Sequence, residues 1–524
     1  MSRSLFLGLV LTAAVAGALL WTLAGTGRTP SLAEAQALTP VTWSEAAQEA
    51  CTRAPSRDCL LTWALAETRR VQPQGSDLLA SVAVAWNRPE LLTEAKAAAH
   101  ESLAAMPVGQ RLEMSSLVLG NVAAHEVELG LVERGLETLA EIDDQRGREL
   151  AGSILAGDLT EIGAVATALE VIEDIGDEGL RASALGRVIA AQIRAGELRQ
   201  AQETLDRLHE IPPASSDEVS WALFRVAKAL MEAGQDAIAL ETAQRIERAY
   251  FRALALAGFG ARTRRGDLIQ AAVSAARAAP SAKEAQGTLI EVASLAAEAG
   301  EGRLALSLLA EIPPGHDRPR ASAQVARGLA KAGWLEEAVD LARGIEDDLY
   351  RAGAVAGIAE ARAKPDMPAR LRGLLRGLDD VAHDEAWRAI AGALAKEGEK
   401  AAAIDAASNI RKASRLVETL ASIAVLVGDS AVLDPTIAMM SFVSDPRERS
   451  MCLAALAVAQ AELGMVMEAT AAASQIANPE ARIGALVMAA NRFAPRRETL
   501  EPGLPIEEVP TNLPGPGVFY AKLP

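Results

Sequence analysis

The chain is poor in aromatic residues: Phe, Trp and Tyr together make up 3% of its 524 residues. Its interior must therefore be built from Ala, Leu, Val and Ile, which suits closely packed helices. Carbohydrate sites stack sugars on aromatic faces, and the seven Trp are too dispersed along the chain to form such a platform. Trp221, Trp334 and Trp387 fall near predicted helix starts or turns, where packing in the core or at a groove edge is expected. Basic residues are also short, with 52 Lys and Arg against 69 Asp and Glu, for a net charge of −17. A surface that neutralises nucleic-acid phosphates needs the opposite balance, and the same deficit excludes an anionic membrane surface as the partner.

The motifs of catalysis and metal binding are missing as well. His100, His125, His209, His316 and His383 include no pair four residues apart. There is no His-Glu-x-x-His and no Cys-x-x-Cys, which excludes the familiar zinc arrangements. No Gly-x-Ser-x-Gly elbow, Ser-x-x-Lys pair or phosphate-cradling loop ending in Gly-Lys-Ser/Thr is present. The acidic groups Asp143-Asp144, Glu346-Asp347-Asp348 and Asp379-Asp380 lack the alternating oxygens and glycine of a calcium loop. They sit where helices should begin. The expectation is a non-enzyme with no catalytic residue, no metal and no cofactor. The local basic groups Arg262/Arg264/Arg265 and Arg370/Arg372/Arg376 read as solvated faces, with an acidic partner as the alternative.

What the chain does have is a recurring frame. Ala, six residues, Gly, four residues, Ala appears at Ala227/Gly234/Ala239, Ala293/Gly300/Ala305, Ala326/Gly333/Ala338, Ala391/Gly398/Ala403 and Ala457/Gly464/Ala469. The residue before the first Ala is Val226, Val292, Val325, Ile390 or Leu456. Apolar residues recur at helical spacing on both sides of each Gly. Glycine at the end of such a stretch supplies the left-handed residue that closes a helix. Each unit therefore reads as helix, tight turn, helix, with the small residues where the two helices cross. A larger side chain there would overpack the crossing, at a cost of about 1–3 kcal/mol.

Turn glycines are read at Gly196, Gly234, Gly266, Gly300, Gly333, Gly398, Gly428 and Gly464, with Pro365-Asp366 at a turn lacking glycine and Gly130 and Gly157 as degraded copies. The mean period is close to 33 residues, within the range of stacked helical repeats. Three units open with an acid three residues before Arg: Glu178/Arg181, Asp317/Arg320 and Asp348/Arg351. Such pairs suit a helix start.

The small residue, glycine and alanine of the frame resemble the tetratricopeptide repeat, a 34-residue helix-turn-helix. The resemblance spans roughly residues 110–490. The family's first-helix Trp, Leu-Gly and Tyr are largely absent, and Ala stands in for its first-helix Gly at 227, 293, 326, 391 and 457. Its closing Pro appears at Pro213 without regularity. These departures keep a HEAT-like or other α/α repeat open. The resemblance implies an all-α, right-handed superhelical solenoid of about eleven to thirteen hairpins. First helices would line a concave groove that takes up a protein or peptide ligand without catalysis.

The ends differ in character. Residues 1–37 read as a targeting segment: Arg3, an uncharged run over residues 5–24, then Ala33-Glu34-Ala35-Gln36-Ala37, which suits a signal-peptidase site. The run is also long enough to span a bilayer. Export to a bacterial periplasm is expected, either as a soluble chain after cleavage or anchored in the inner membrane by residues 5–24. Residues 38–109 form an N-terminal helical cap in which Cys51 and Cys59 flank a short loop. In an oxidising compartment they pair as a disulfide. Cys452 lies in an apolar helix and reads as core. Residues 110–493 form the solenoid. Residues 494–524 are Pro-rich, lack helical period and end in the apolar Val518-Phe519-Tyr520, which suits a tail or a short docking peptide. Two other functions fit this organisation: an envelope enzyme or accessory built on a helical ring like that of lytic transglycosylases, and a structural spacer.

Overall fold

The computed structural model describes residues 44–71, 76–212 and 217–493. The expected targeting segment, the Pro-rich tail and Pro213 lie outside them. Every regular element among the described residues is helical.

The repeating unit follows from its sequence, as one hairpin shows. A long first helix, Asp317–Ala332, ends at Gly333, whose φ is +96°. The Gly333 N–H bonds to the Ala330 carbonyl at 3.0 Å and the Trp334 N–H to the Leu329 carbonyl at 2.8 Å. These two bonds satisfy carbonyls that the helix end would otherwise leave open. A residue with a Cβ at this φ would cost about 1–2 kcal/mol. A short second helix, Leu335–Arg343, then runs back along the first. Ala326 and Ala338, both fully buried, stand at the crossing. Ala227, Ala239, Ala293, Ala305, Ala391, Ala403, Ala457 and Ala469 occupy the same two columns, none more than 4% exposed.

The described residues begin with α1 (Glu45–Arg53) and α2 (Arg57–Arg70). Hairpins follow: α3 (Ser76–Trp86) with α4 (Glu90–Ala104), α5 (Val108–Glu128) with α6 (Val132–Ala140), and α7 (Gln145–Glu161) with α8 (Val165–Glu173). Next come α9 (Glu178–Arg194) with α10 (Leu198–Glu210), α11 (Asp217–Glu232) with α12 (Asp236–Gln244), and α13 (Ala249–Thr263) with α14 (Gly266–Arg277). Then α15 (Ala282–Glu298) pairs with α16 (Gly302–Glu311), α17 (Asp317–Ala332) with α18 (Leu335–Arg343), and α19 (Asp348–Ala361) with α20 (Met367–Leu371). Last are α21 (Asp380–Lys396) with α22 (Lys400–Ala407), α23 (Ala413–Val427) with α24 (Leu433–Met439), α25 (Pro446–Glu462) with α26 (Val466–Ser474), and an unpaired α27 (Pro479–Asn491).

Polar side chains set where the first helices start. Asp144, Asp177, Asp347, Asp379, Asp445 and Asn478 each accept the backbone N–H three residues on. A cap of this kind stabilises by about 1 kcal/mol. The acidic groups at 143–144, 346–348 and 379–380 are thus helix starts. A second recurring contact ties each unit to the one before. An arginine early in a first helix donates to the isoleucine carbonyl six residues upstream, at Arg148→Ile142, Arg252→Ile246, Arg318→Ile312, Arg351→Ile345 and Arg482→Ile476. Of the three acid–Arg pairs expected at helix starts, Asp348–Arg351 forms, at 2.6 Å. Arg320 turns instead to Glu291, 3.7 Å away on the neighbouring first helix.

Two turn positions differ from the sequence reading. Gly266 is the first residue of α14, and the left-handed position belongs to Arg264, with φ +53°. The turn after α7 is made by Gly163, with φ +86°. Gly157 lies inside α7, where a Cβ would touch the Arg187 side chain at 3.4 Å, so it serves close packing rather than a turn.

Consecutive first helices lie against one another, while second helices chiefly touch the first helices on either side. The units are therefore wedges, narrow at the first helices, and the array curves toward that layer. An isolated linear array would be an open superhelix. Here the two ends meet. α27 packs along α2, α2 leads into α3 as every second helix leads into the next first helix, and α27 also reaches α3. The last hairpin is thus assembled from the two ends of the described helical array, with α27 as its first helix and α2 as its second. Within the stretch expected as an N-terminal cap, 38–109, the described residues instead supply half of this closing unit and the whole α3–α4 hairpin. Glu67 of α2, 2% exposed, meets Arg482 of α27 at 2.9 Å across the seam. α1 packs on α26, and a disulfide joins Cys51 of α1 to Cys59 of α2. Thirteen first helices spaced about 9 Å apart, on a circular course, leave an opening about 25 Å across once side chains are subtracted.

Candidate functional site: the inner wall

The repeat fixes which side chains share a level on the inner wall. Residues nine before the left-handed turn residue form one column: Arg187, Arg225, Ala255, Glu291 and Gln324 on successive first helices α9, α11, α13, α15 and α17. Gln324 donates to Glu291 at 3.2 Å, which shows that neighbours in the column touch. Residues two before the turn form a second column, in which Arg194 pairs with Glu161 at 2.9 Å and Lys331 with Glu298 at 3.0 Å. These two ion pairs, each about one repeat apart in sequence, are lateral contacts between first helices. Exposed pairs of this type stabilise by no more than about 1 kcal/mol each, so they matter more as a charge pattern than as structural support.

A shallow, open cleft of about 390 Å³ lies on this wall. Tyr250, Ser281, Lys283, Glu284, Glu291 and Arg320 line it, all from first helices or their caps. Gly287 opens it further, since a Cβ there would meet nothing within 4 Å. Tyr250 forms the aromatic wall. Burial, assisted by Glu291, pushes its hydroxyl above the ordinary tyrosine value, with Arg320 opposing. Behind it stand Phe251, with ring centroids 5.1 Å from Tyr250, and Trp221 and Phe224, at 5.5 Å and 6.0 Å from Phe251. A chain with few rings concentrates four of them here. Ring spacings in this range favour packing beyond area alone. The aromatic group holds the wall rigid and leaves one edge, Tyr250, facing the cleft.

A second cleft, about 250 Å³, lies between the second helices α8 and α10. Its floor is Gln192, 1% exposed, whose Oε1 has no partner. Gln460 occupies the equivalent column with the same unpartnered oxygen, and Glu126 is the third polar member, satisfied by Thr138 at 2.6 Å and Arg134 at 3.1 Å.

Asp158 of α7 is a strongly perturbed carboxyl. Burial and the neighbouring Glu161 and Glu128 raise it to about 7, against the pull of Arg187. It lines neither cleft. Asp384, also buried, behaves oppositely. Burial pushes it up, but the backbone N–H groups of Arg411 and Lys412, at 2.9 Å each, together with His383, hold it below the usual carboxylate range. It ties α21 to the start of α23, and Trp387 joins it through His383.

The remaining sequence-selected residues are not brought together into a site. His100 pairs with Glu141, and His125 bonds the Asn121 carbonyl. Arg262 pairs with Asp236, Arg265 with Asp267, and Arg370 with Asp366 and Glu336. Trp334 packs on Gly302, where a Cβ would come within 3.0 Å of its ring. Cys452 is buried, and that burial pushes its thiol up to about 11. No group of three metal-ligating side chains occurs among the described residues. No helix among them is long and apolar enough to cross a membrane.

No family model and no curated protein matches the chain. Among solved structures, Ton1535 from Thermococcus onnurineus NA1 is similar at 15% identity with a TM-score of 0.25, over 72% of this chain and 99% of that one. A circular tandem repeat protein with a novel repeat topology and enhanced subunit contact surfaces is similar at 15% identity with a TM-score of 0.15, over 84% of this chain and 97% of that one. Neither likeness is close enough to bear on function.

Proposed function

We propose that this protein is a non-catalytic scaffold that holds a protein or peptide segment against the inner wall of a closed, tetratricopeptide-like ring. The carrying observation is the cleft beside Tyr250. It is built solely from the layer of first helices, which in such repeats is the ligand-facing layer, and it combines an aromatic edge with both charge signs. An extended or helical segment fits an opening of this width. Residues 1–37 direct the chain out of the cytoplasm, and it works in the bacterial envelope, released into the periplasm or held at the inner membrane by residues 5–24. The Cys51–Cys59 disulfide supports an oxidising compartment.

A photo-crosslinking amino acid placed at Gly287, in the cleft, and separately at Glu337, on the exposed face of a second helix, tests the scaffold reading in living cells. A discrete protein adduct from Gly287 and none from Glu337 is expected. Adducts only from Glu337, or none from either, would remove the inner wall as the binding face. A catalytic reading has one observation in its favour, the raised Asp158 beside Glu161. It requires Asp158→Asn to abolish an activity on an envelope polymer, whereas the scaffold reading requires that variant to keep its adduct.

A further inference from the structure

We infer that the inner wall between α9 and α13 is a site for an oxyanion, a carboxylate or a phosphate, held by Arg225, with Arg187 adding positive charge from the neighbouring first helix. The inference rests on the inner wall being the binding face and names the chemistry of what binds there. Column geometry carries it. Arg187 and Arg225 each stand nine residues before a turn glycine, so they sit side by side on adjacent first helices. Two helices further on, the same column holds a complementary pair, Gln324 against Glu291. Here it holds two like charges.

Nothing offsets Arg225. On its other side the column continues with Ala255, and one turn further along α13 is Gly258, where a Cβ would meet nothing within 4 Å. The wall is bare where a counter-charge would be expected. The nearby acids are engaged elsewhere: Asp158 with Arg187, Glu161 with Arg194 and Glu232 with Lys228. No carboxylate or hydrogen-bond acceptor meets Arg225 among the described residues. Burial, with Arg187 and Arg194 beside it, brings its guanidinium down to about 10. A protein with a net charge of −17 thus keeps a half-buried, uncompensated cation on its inner surface. That arrangement opposes folding, and an incoming oxyanion relieves it. A guanidinium fork meets a carboxylate or phosphate through two parallel N–H bonds, and the open space over Ala255 and Gly258 admits one.

The experiment is calorimetric titration of the full chain with inorganic phosphate and, separately, with an oligoglutamate peptide. The variants are Arg225→Gln, Arg225→Lys and, as a second-helix control, Arg370→Gln. Both probes should bind the unaltered chain. Arg225→Gln should weaken binding by about tenfold or more, Arg225→Lys by less, and Arg370→Gln not at all. Arg225→Gln should also melt no lower than the parent, because it removes a repulsion. A structural role for Arg225 would predict the reverse. Tighter oligoglutamate binding identifies an acidic segment as the source of the anion, and equal binding per charge identifies a free anion. Binding that Arg225→Gln leaves unchanged, or no binding of either probe, overturns the proposal. Phosphate binding lost in Arg225→Gln, without any adduct from the Gly287 crosslinker, would keep the anion site and discard the scaffold reading.

Discussion

The closing hairpin has no chain connection between its halves, so a lesion there should act locally. Arg482→Ala is the sharpest test. Its guanidinium pairs with Glu67 at 2.9 Å and also donates to the Ile476 carbonyl. The Glu67 side chain is 3% exposed and keeps Arg70 at 3.0 Å and the Trp63 indole at 3.3 Å. Removing one partner of a buried pair costs about 3–5 kcal/mol. Because Arg70 remains and is itself more than half exposed, the lower end applies, about 3 kcal/mol. Opening the seam breaks contacts of α27 with α2 and α3 and leaves every continuous hairpin intact. Hydrogen exchange should therefore show protection in α2 and α27 falling about 100-fold, with α15 to α19 unchanged. Glu67→Gln separates the ion pair from the Ile476 contact and should give a smaller local loss. If protection declines evenly around the ring, or α2 and α27 lose no more than α17, the seam is not an independent unit and the reasoning fails.

Other predictions follow from named contacts. A Cβ at Gly328 would lie 2.5 Å from the Ser294 carbonyl oxygen and 2.8 Å from the Ala297 Cβ, so Gly328→Ala should destabilise by about 1–3 kcal/mol, and an unchanged melting temperature would disprove the close approach of α17 to α15. Asp158 is raised to about 7 from an ordinary 3.8, so the native state holds its proton more tightly than the unfolded one, and the group's contribution is most favourable at low pH and declines between about pH 4 and pH 7. Asp158→Asn should thus gain more than about 1 kcal/mol over the parent at pH 8 and little at pH 4, and equal gains at both would refute the raised carboxyl. Reducing Cys51–Cys59, which are eight residues apart, should lower the denaturant stability of the N-terminal region by about 2–3 kcal/mol. Cys51→Ser should reproduce that value with or without reductant.

Much of the unit was legible from spacing alone. The left-handed glycines, the buried alanine columns and the capping acids act within one hairpin, and local chemistry dictates each of them. Gly157 misled because a glycine that admits Arg187 and a glycine that ends a helix look alike in sequence. Arg264 was missed because the residue in a left-handed turn is usually glycine, and Gly266 stood two residues away. Ring closure left no trace in the periodicity, which reports neighbours along the chain. Glu67 and Arg482 meet only because the summed curvature of all the wedges returns α27 to α2. The inner wall was hidden for a related reason. The arginine groups that stand out by eye, 262–265 and 370–376, are adjacent in sequence and dispersed by the fold. Arg187 and Arg225 are a whole repeat apart and become neighbours. Aligning the chain on its turn glycines would have exposed that column, and with it the isoleucine–arginine clamp.

The central claim is that α2 and α27, from the two ends of the helical array, complete one hairpin. Spin labels at Arg70→Cys and Glu480→Cys, with Cys51–Cys59 intact and the buried Cys452 unreactive, measure it directly by pulsed electron resonance. A closed ring predicts one narrow distance, set by two helices packed about 10 Å apart plus the label arms. A broad distribution at several times that length would mean an open arc, and the inner wall described here would not exist as a closed surface.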